Sequence, residues 1–143
     1  MYFKTRTLFF ILIFYISLVA CSTPAELEGT WIGYETGSPQ QGWILTIERN
    51  QFTLICEDSS TWYKGHLRLN NNCSRNKMDL RISATAVQTD NGKTAFGIYE
   101  IEEGTLVLVT GEPGSIERPY SFDEAAETLA FVFEKSTADQ ASH

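Results

Sequence analysis

Few residues of this 143-residue chain are spaced for chemistry. His66 is the only histidine inside the chain, and no Cys-x-x-Cys or His-x-x-x-His spacing accompanies it, so no metal centre is expected. Serine, histidine and aspartate are all present, but the Gly-x-Ser-x-Gly turn that exposes a nucleophile does not occur. His66 also alternates with Lys64 and Arg68, which puts it on the wet face of a strand. Catalysis and cofactor chemistry are therefore not expected. Arg118 and Tyr120 share one side of an extended segment, where a guanidinium and a phenol suit a carboxylate. Pro119 lies between them and cannot donate to a strand ladder. A structural pairing of Arg118 with a nearby acid is the favoured reading, with the Arg118/Tyr120 clamp as the alternative.

The N-terminus carries a second kind of signal. Lys4 and Arg6 precede an apolar run from Leu8 to Ala20, the pattern of an export signal. The run is short for a bilayer span, which takes about 20 apolar residues. It ends in Leu18-Val19-Ala20-Cys21, which resembles the lipobox of bacterial lipoproteins. The resemblance implies that residues 1–20 are cut away and that Cys21 becomes a lipidated N-terminus tethered in the cell envelope. Ser22 after the cysteine implies the outer membrane, periplasmic side, in a Gram-negative cell. The tether 21–26 is short: the five residues Ser22–Glu26 reach at most about 18 Å. The barrel end that receives Leu27 should then face the bilayer, and a ligand could pass there with little exposure to water.

With Cys21 lipidated, Cys56 and Cys73 form an even pair in an oxidising compartment, where a disulfide persists. Such a bridge contributes on the order of 3 kcal/mol. Removing Lys4 and Arg6 with the signal leaves nine basic against 18 acidic residues, a formal charge of −9. That surface argues against nucleic acid and anionic headgroups as partners and admits a basic envelope protein.

The elements that must position these groups are strands. Leu27–Glu35, Trp43–Glu48, Gln51–Cys56, Trp62–Asn70, Lys77–Ala84, Thr94–Glu102, Thr105–Thr110 and Leu129–Lys135 alternate apolar and polar residues between short turns. Arg49-Asn50 and Glu103-Gly104 read as tight hairpin turns, and residues 136–143 as a disordered tail. The expected fold is all-β, an eight-stranded antiparallel up-and-down barrel over residues 27–135, because closure removes both sheet edges.

Gly29-Thr30-Trp31 on the first strand is similar to the Gly-x-Trp opening of lipocalins, which implies that Trp31 plugs one end of the barrel. Phe96-Gly97-Ile98-Tyr99-Glu100-Ile101, Gly104-Thr105-Leu106, Pro113-Gly114 and Glu117-Arg118-Pro119 with Phe122 follow in order. Together they resemble an uncharacterised lipocalin-like bacterial domain abundant in planctomycetes, with its Gly-Thr-Trp opening, its "GIYELDGDTL"-like hairpin and its "RPxxF". The Cys56/Cys73 pair and the lack of an aspartate before Thr105 depart from that pattern. The resemblance implies a fold and no activity.

A barrel of this size either fills with side chains or holds one small ligand. The preferred expectation is a lipid-anchored module that encloses a small apolar or amphipathic molecule. Its wall would be Trp43, Leu45, Phe52, Leu54, Phe96, Ile98, Phe131 and Phe133. The alternative is a solid barrel that docks on a basic envelope protein through its acidic surface, as an inhibitor or partner.

Overall fold

The computed structural model describes residues 23–70, 76–123 and 128–140. Alternation along each strand sorts residues to two faces. On β2 (Ser38–Glu48), Trp43, Leu45 and Ile47 are buried, while Ile44, Thr46 and Glu48 take the other side. The remaining strands are β1 (Gly29–Glu35), β3 (Gln51–Cys56), β4 (Trp62–Asn70), β5 (Asn76–Thr85), β6 (Thr94–Glu102), β7 (Thr105–Gly111) and β8 (Thr128–Lys135). Each pairs antiparallel with the next, and β8 returns to β1 from Trp31↔Lys135 to Glu35↔Phe131. The fold is thus the expected closed eight-stranded up-and-down barrel, with every sheet edge paired.

Two boundaries differ instructively. β2 begins at Ser38 rather than Trp43, because the β1–β2 register slips from Tyr34↔Gly42 to Glu35↔Ser38. Pro39 falls in the slipped stretch, where a missing N–H costs the ladder nothing. At the other end of the chain, Thr137–Gln140 make one helical turn (α1) where a disordered tail was expected, and residues 141–143 lie outside the described part. The Glu103-Gly104 turn has positive φ at both residues, 50° and 80°, the primed-turn geometry that matches strand twist.

The barrel has two unlike ends. At the lower end lie Leu27, the Arg49-Asn50 and Glu103-Gly104 turns, and Ser136. At the upper end lie the links 36–37, 57–61, 86–93 and the long segment after β7. Leu27, Ile47, Met78, Leu106 and Phe133 are 0% exposed and Trp31 is 1% exposed, so the lower half is packed solid.

The inward face of β6 is not the expected one. Phe96 and Ile98 were assigned to the barrel wall, but they pair with Asp79 and Lys77, whose neighbours Met78 and Leu80 hold the interior. Ala95, Gly97 and Tyr99 face in instead, and Phe96 and Ile98 face out. β6 is buried on both sides there, because the segment after β7 lies across it: Gly114 N–H donates to the Thr94 carbonyl at 3.0 Å, and Ile98 is 1% exposed outside the core. A strand covered on both faces loses the alternation that reveals its parity.

The expected Cys56–Cys73 disulfide is also corrected. Cys56 is a free, buried thiol at the upper end, and Gln41 Nε2 lies 3.0 Å from its sulfur. Cys73 lies outside the described residues, but Asn70 and Asn76 on either side of it end β4 and begin β5 at the lower end. From Cys56 down β3 to Gln51, across to His66 and on to Asn70 is roughly 30 Å along the strands. Three residues beyond Asn70 reach about 10 Å, and a bridge needs alpha carbons within about 7 Å.

Candidate ligand-binding site

The interior changes character above the solid floor. Trp43, Leu54 and Phe131 project inward from β2, β3 and β8 through the pairs Leu45↔Leu54 and Leu108↔Phe131 and the alternation around them. Phe52 comes in opposite Gly65, where a side chain would collide with the Arg81 carbonyl and touch the Phe52 ring. Between these walls lies a cavity of about 210 Å³, bounded also by Leu80, Ile82 and Ala95. Its rim is Glu35, Thr61, Tyr63, Pro113 and Leu129, all half-buried and all at the upper end. A larger groove of about 610 Å³ runs between Gly37–Gly42 and Cys56–Asp58. Its lining is glycine, serine, glutamine and carboxylate with only Pro39 and Cys56 beside them, without the apolar wall that buries a ligand.

Aromatic packing fixes the tryptophan in the cavity wall. Trp43 meets Phe131 edge to face at 5.8 Å, and Phe131 stacks on Phe133 at 5.7 Å. The ring is thus held, yet its N–H is not satisfied. Among the described residues, Trp43 Nε1 is the one buried side-chain nitrogen or oxygen without a hydrogen-bond partner in the protein. Trp31 is the contrast: its Nε1–H donates to the Leu27 carbonyl at 2.9 Å, and the Lys135 ammonium sits 5.3 Å over its ring.

Charge around the mouth is mixed: Glu35 stands on the rim, and Asp90 beside Tyr63 pairs with Lys93 at 3.7 Å. The Tyr63 hydroxyl donates to Asp90 at 3.4 Å. Burial, reinforced by the Asp90 carboxylate, pushes the Tyr63 phenol above its ordinary value, so it stays protonated at neutral pH. No lysine, arginine or histidine lines the cavity. Asp58, on the adjacent outer link, is held below its ordinary value by the Ser60 hydroxyl and backbone N–H.

The expected wall residues fall into three groups. Trp43, Phe52, Leu54 and Phe131 line the cavity, while Leu45 and Phe133 lie buried in the core and do not line it. Phe96, Ile98, Arg118 and Tyr120 are outside the barrel. Arg118 pairs with Asp79 at 2.5 Å, donates to the Gly97 carbonyl at 2.7 Å and covers the Phe96 ring at 5.2 Å. Tyr120 is 75% exposed, so the pair forms no interior clamp and Arg118 has the structural role that was favoured. Sequence reading missed Tyr63, Leu80, Ile82, Ala95, Leu129 and the rim of Glu35, Thr61 and Pro113. Alternation on β4 and β5 marks the first three as inward, but nothing local marks the height at which packing gives way to space.

Two expectations meet limits of another kind. Cys21 and the apolar run before it lie outside the described residues. The passage expected at the Leu27 end is closed by packed side chains, and the opening is at the opposite end. Comparison with protein-family models, with curated proteins and with solved structures gives no match.

Proposed function

We propose that the protein is a lipid-anchored binding module of the cell envelope that holds one small apolar or amphipathic molecule in the upper half of its barrel. The observation that carries this reading is the apolar cavity of about 210 Å³ opening opposite the solid floor. Drug-sized ligands occupy about 300–1,000 Å³, so the occupant is small. The lipid at Cys21 rests on the lipobox resemblance, and with it the outer-membrane, periplasmic location. A solid barrel acting through its acidic face accounts for the lower half alone. It gives no reason to leave aromatic walls around empty space, which forfeits dispersion contacts.

Native mass spectrometry tests the reading. Protein extracted in mild detergent from its own envelope should carry a small molecule that collisional activation releases, in addition to the diacylglycerol mass on Cys21. Protein that arrives empty, and that takes up no hydrophobic dye in solution, would leave the binding role without support.

A further inference from the structure

We infer that the cavity takes a small organic cation, an amine in its ammonium form on an aryl or alkyl body, and holds the charge at the mouth on the Glu35 carboxylate. The inference rests on the ligand-binding reading and narrows it to a chemical class. Glu35 belongs to the inward face of β1. It continues the set of Trp31 and Gly33, and the β1–β8 register runs unbroken from Trp31 to Glu35. At its end Glu35 stands directly opposite Phe131, so the two side chains share one face of the sheet. Both border the cavity. Among the described residues, no ion pair or side-chain hydrogen bond engages the Glu35 carboxylate. A carboxylate held against an apolar space loses part of its hydration, and the protein returns nothing for it.

Glu35 is also the one charge in the lining. No lysine, arginine or histidine borders the cavity, and Tyr63 keeps its proton because burial beside Asp90 raises its phenol. Lys93 pairs with Asp90 at 3.7 Å, and Arg118 is committed to Asp79 on the outside of the barrel. An anion entering here would meet Glu35 and no counter-charge. A neutral molecule would leave the carboxylate as it is. An ammonium supplies both charge and donors, and charge-assisted hydrogen bonds are the strong ones. The Phe131 ring beside Glu35 favours a cation as well. Deeper in, Phe52, Leu54, Leu80 and Ile82 offer only hydrocarbon, which suits the body of such a molecule. A cavity of about 150 Å³ takes benzene, so about 210 Å³ has room for one ring and a short arm.

Phenethylamine, phenethyl alcohol and phenylacetate share a ring and a short arm and end in a cation, a neutral hydroxyl and an anion. Their affinities for the full-length protein and for Glu35→Gln, measured by calorimetry at neutral pH, test the inference. The wild type should bind the amine at least tenfold more tightly than the alcohol, and phenylacetate most weakly. In Glu35→Gln the ratio of amine to alcohol affinity should fall about tenfold, with the alcohol unchanged within twofold. Raising salt from about 50 mM to about 1 M should shrink the same ratio in the wild type, a readout that needs no variant to fold. Alcohol binding as tightly as the amine, or a ratio indifferent to both salt and Glu35→Gln, would leave an apolar site standing and overturn the role of Glu35. Phenylacetate binding as tightly as the amine would overturn the selection of a cation. Failure of all three to bind would remove the ligand-binding reading itself.

Discussion

Trp31 and Trp43 are the same residue type on neighbouring strands, both inward, and they are physically different objects. Trp31 is satisfied in every respect, with hydrocarbon around its ring, a carbonyl on its N–H and a cation over its face. Trp43 is packed on its ring and unmet at its nitrogen. Replacing each by phenylalanine separates the two. Trp31→Phe removes a buried hydrogen bond, strands the Leu27 carbonyl and opens space in a solid region. It should cost about 2–4 kcal/mol by chemical denaturation. Trp43→Phe deletes a donor that had no partner, beside a cavity that already exists, and should cost less than about 1 kcal/mol. Equal costs would mean that the Trp43 nitrogen is as well served as that of Trp31. The sequence marks Trp43 as inward through its alternation with Leu45 and Ile47 against Thr46 and Glu48, and Trp31 through the Gly-x-Trp resemblance. It does not mark which N–H finds an acceptor, because that depends on a carbonyl four residues away in one case and on three other strands in the other.

At the scale of the element, strand existence was almost fully legible and strand surroundings were not. Gln51–Cys56, Trp62–Asn70 and Thr94–Glu102 fall on the residues expected, since turn chemistry and period-2 patterning act locally. Two errors share one cause, which is that neither covering nor height is a local property. Phe96 and Ile98 read as interior because they are large. The true inward set, Ala95, Gly97 and Tyr99, includes two small residues that leave room for the opposite wall. Cys56 and Cys73 read as a pair because they are even in number and close in sequence, whereas one passage down a strand carries the chain to the other end of the barrel. A thermal scan checks the second correction directly. Reductant should leave the melting temperature of the exported protein unchanged within a degree. An intrachain bridge worth about 3 kcal/mol would instead show a drop of roughly 5–15 °C.

The whole molecule is polar in the sense that an arrow is. Its lower end is solid and carries the chain's N-terminal side; its upper end is open and rimmed by Glu35, Tyr63 and Pro113. The tether is shorter in effect than residues 22–26 suggest, because its second half lies against the floor. The Thr23 hydroxyl donates to the Arg49 carbonyl, Leu27 N–H to the Pro24 carbonyl at 2.9 Å, and Lys135 Nζ to the Glu26 carbonyl at 3.1 Å. Cys21 stands two residues before Thr23, a reach of about 7 Å. If Cys21 is lipidated as proposed, the lipid would draw the solid end to the bilayer and turn the mouth to the water, the reverse of a barrel that feeds from the membrane. Fluorophores on single cysteines at Glu103 in the lower turn and at Asp58 in the upper link, with Cys56→Ala and Cys73→Ser in place, report this orientation. On vesicles bearing the lipidated protein and a headgroup-level nitroxide quencher, the Glu103 label should be quenched at least twofold more than the Asp58 label. A flexible insert of about 20 residues after Ser22 spans roughly 25 Å as a coil and should abolish that difference. It should leave the melting temperature of the barrel unaltered. Equal quenching at both positions without the insert, or stronger quenching at Asp58, would mean that the mouth is presented to the bilayer after all, and that the pinned segment 23–28 does not set how the barrel stands.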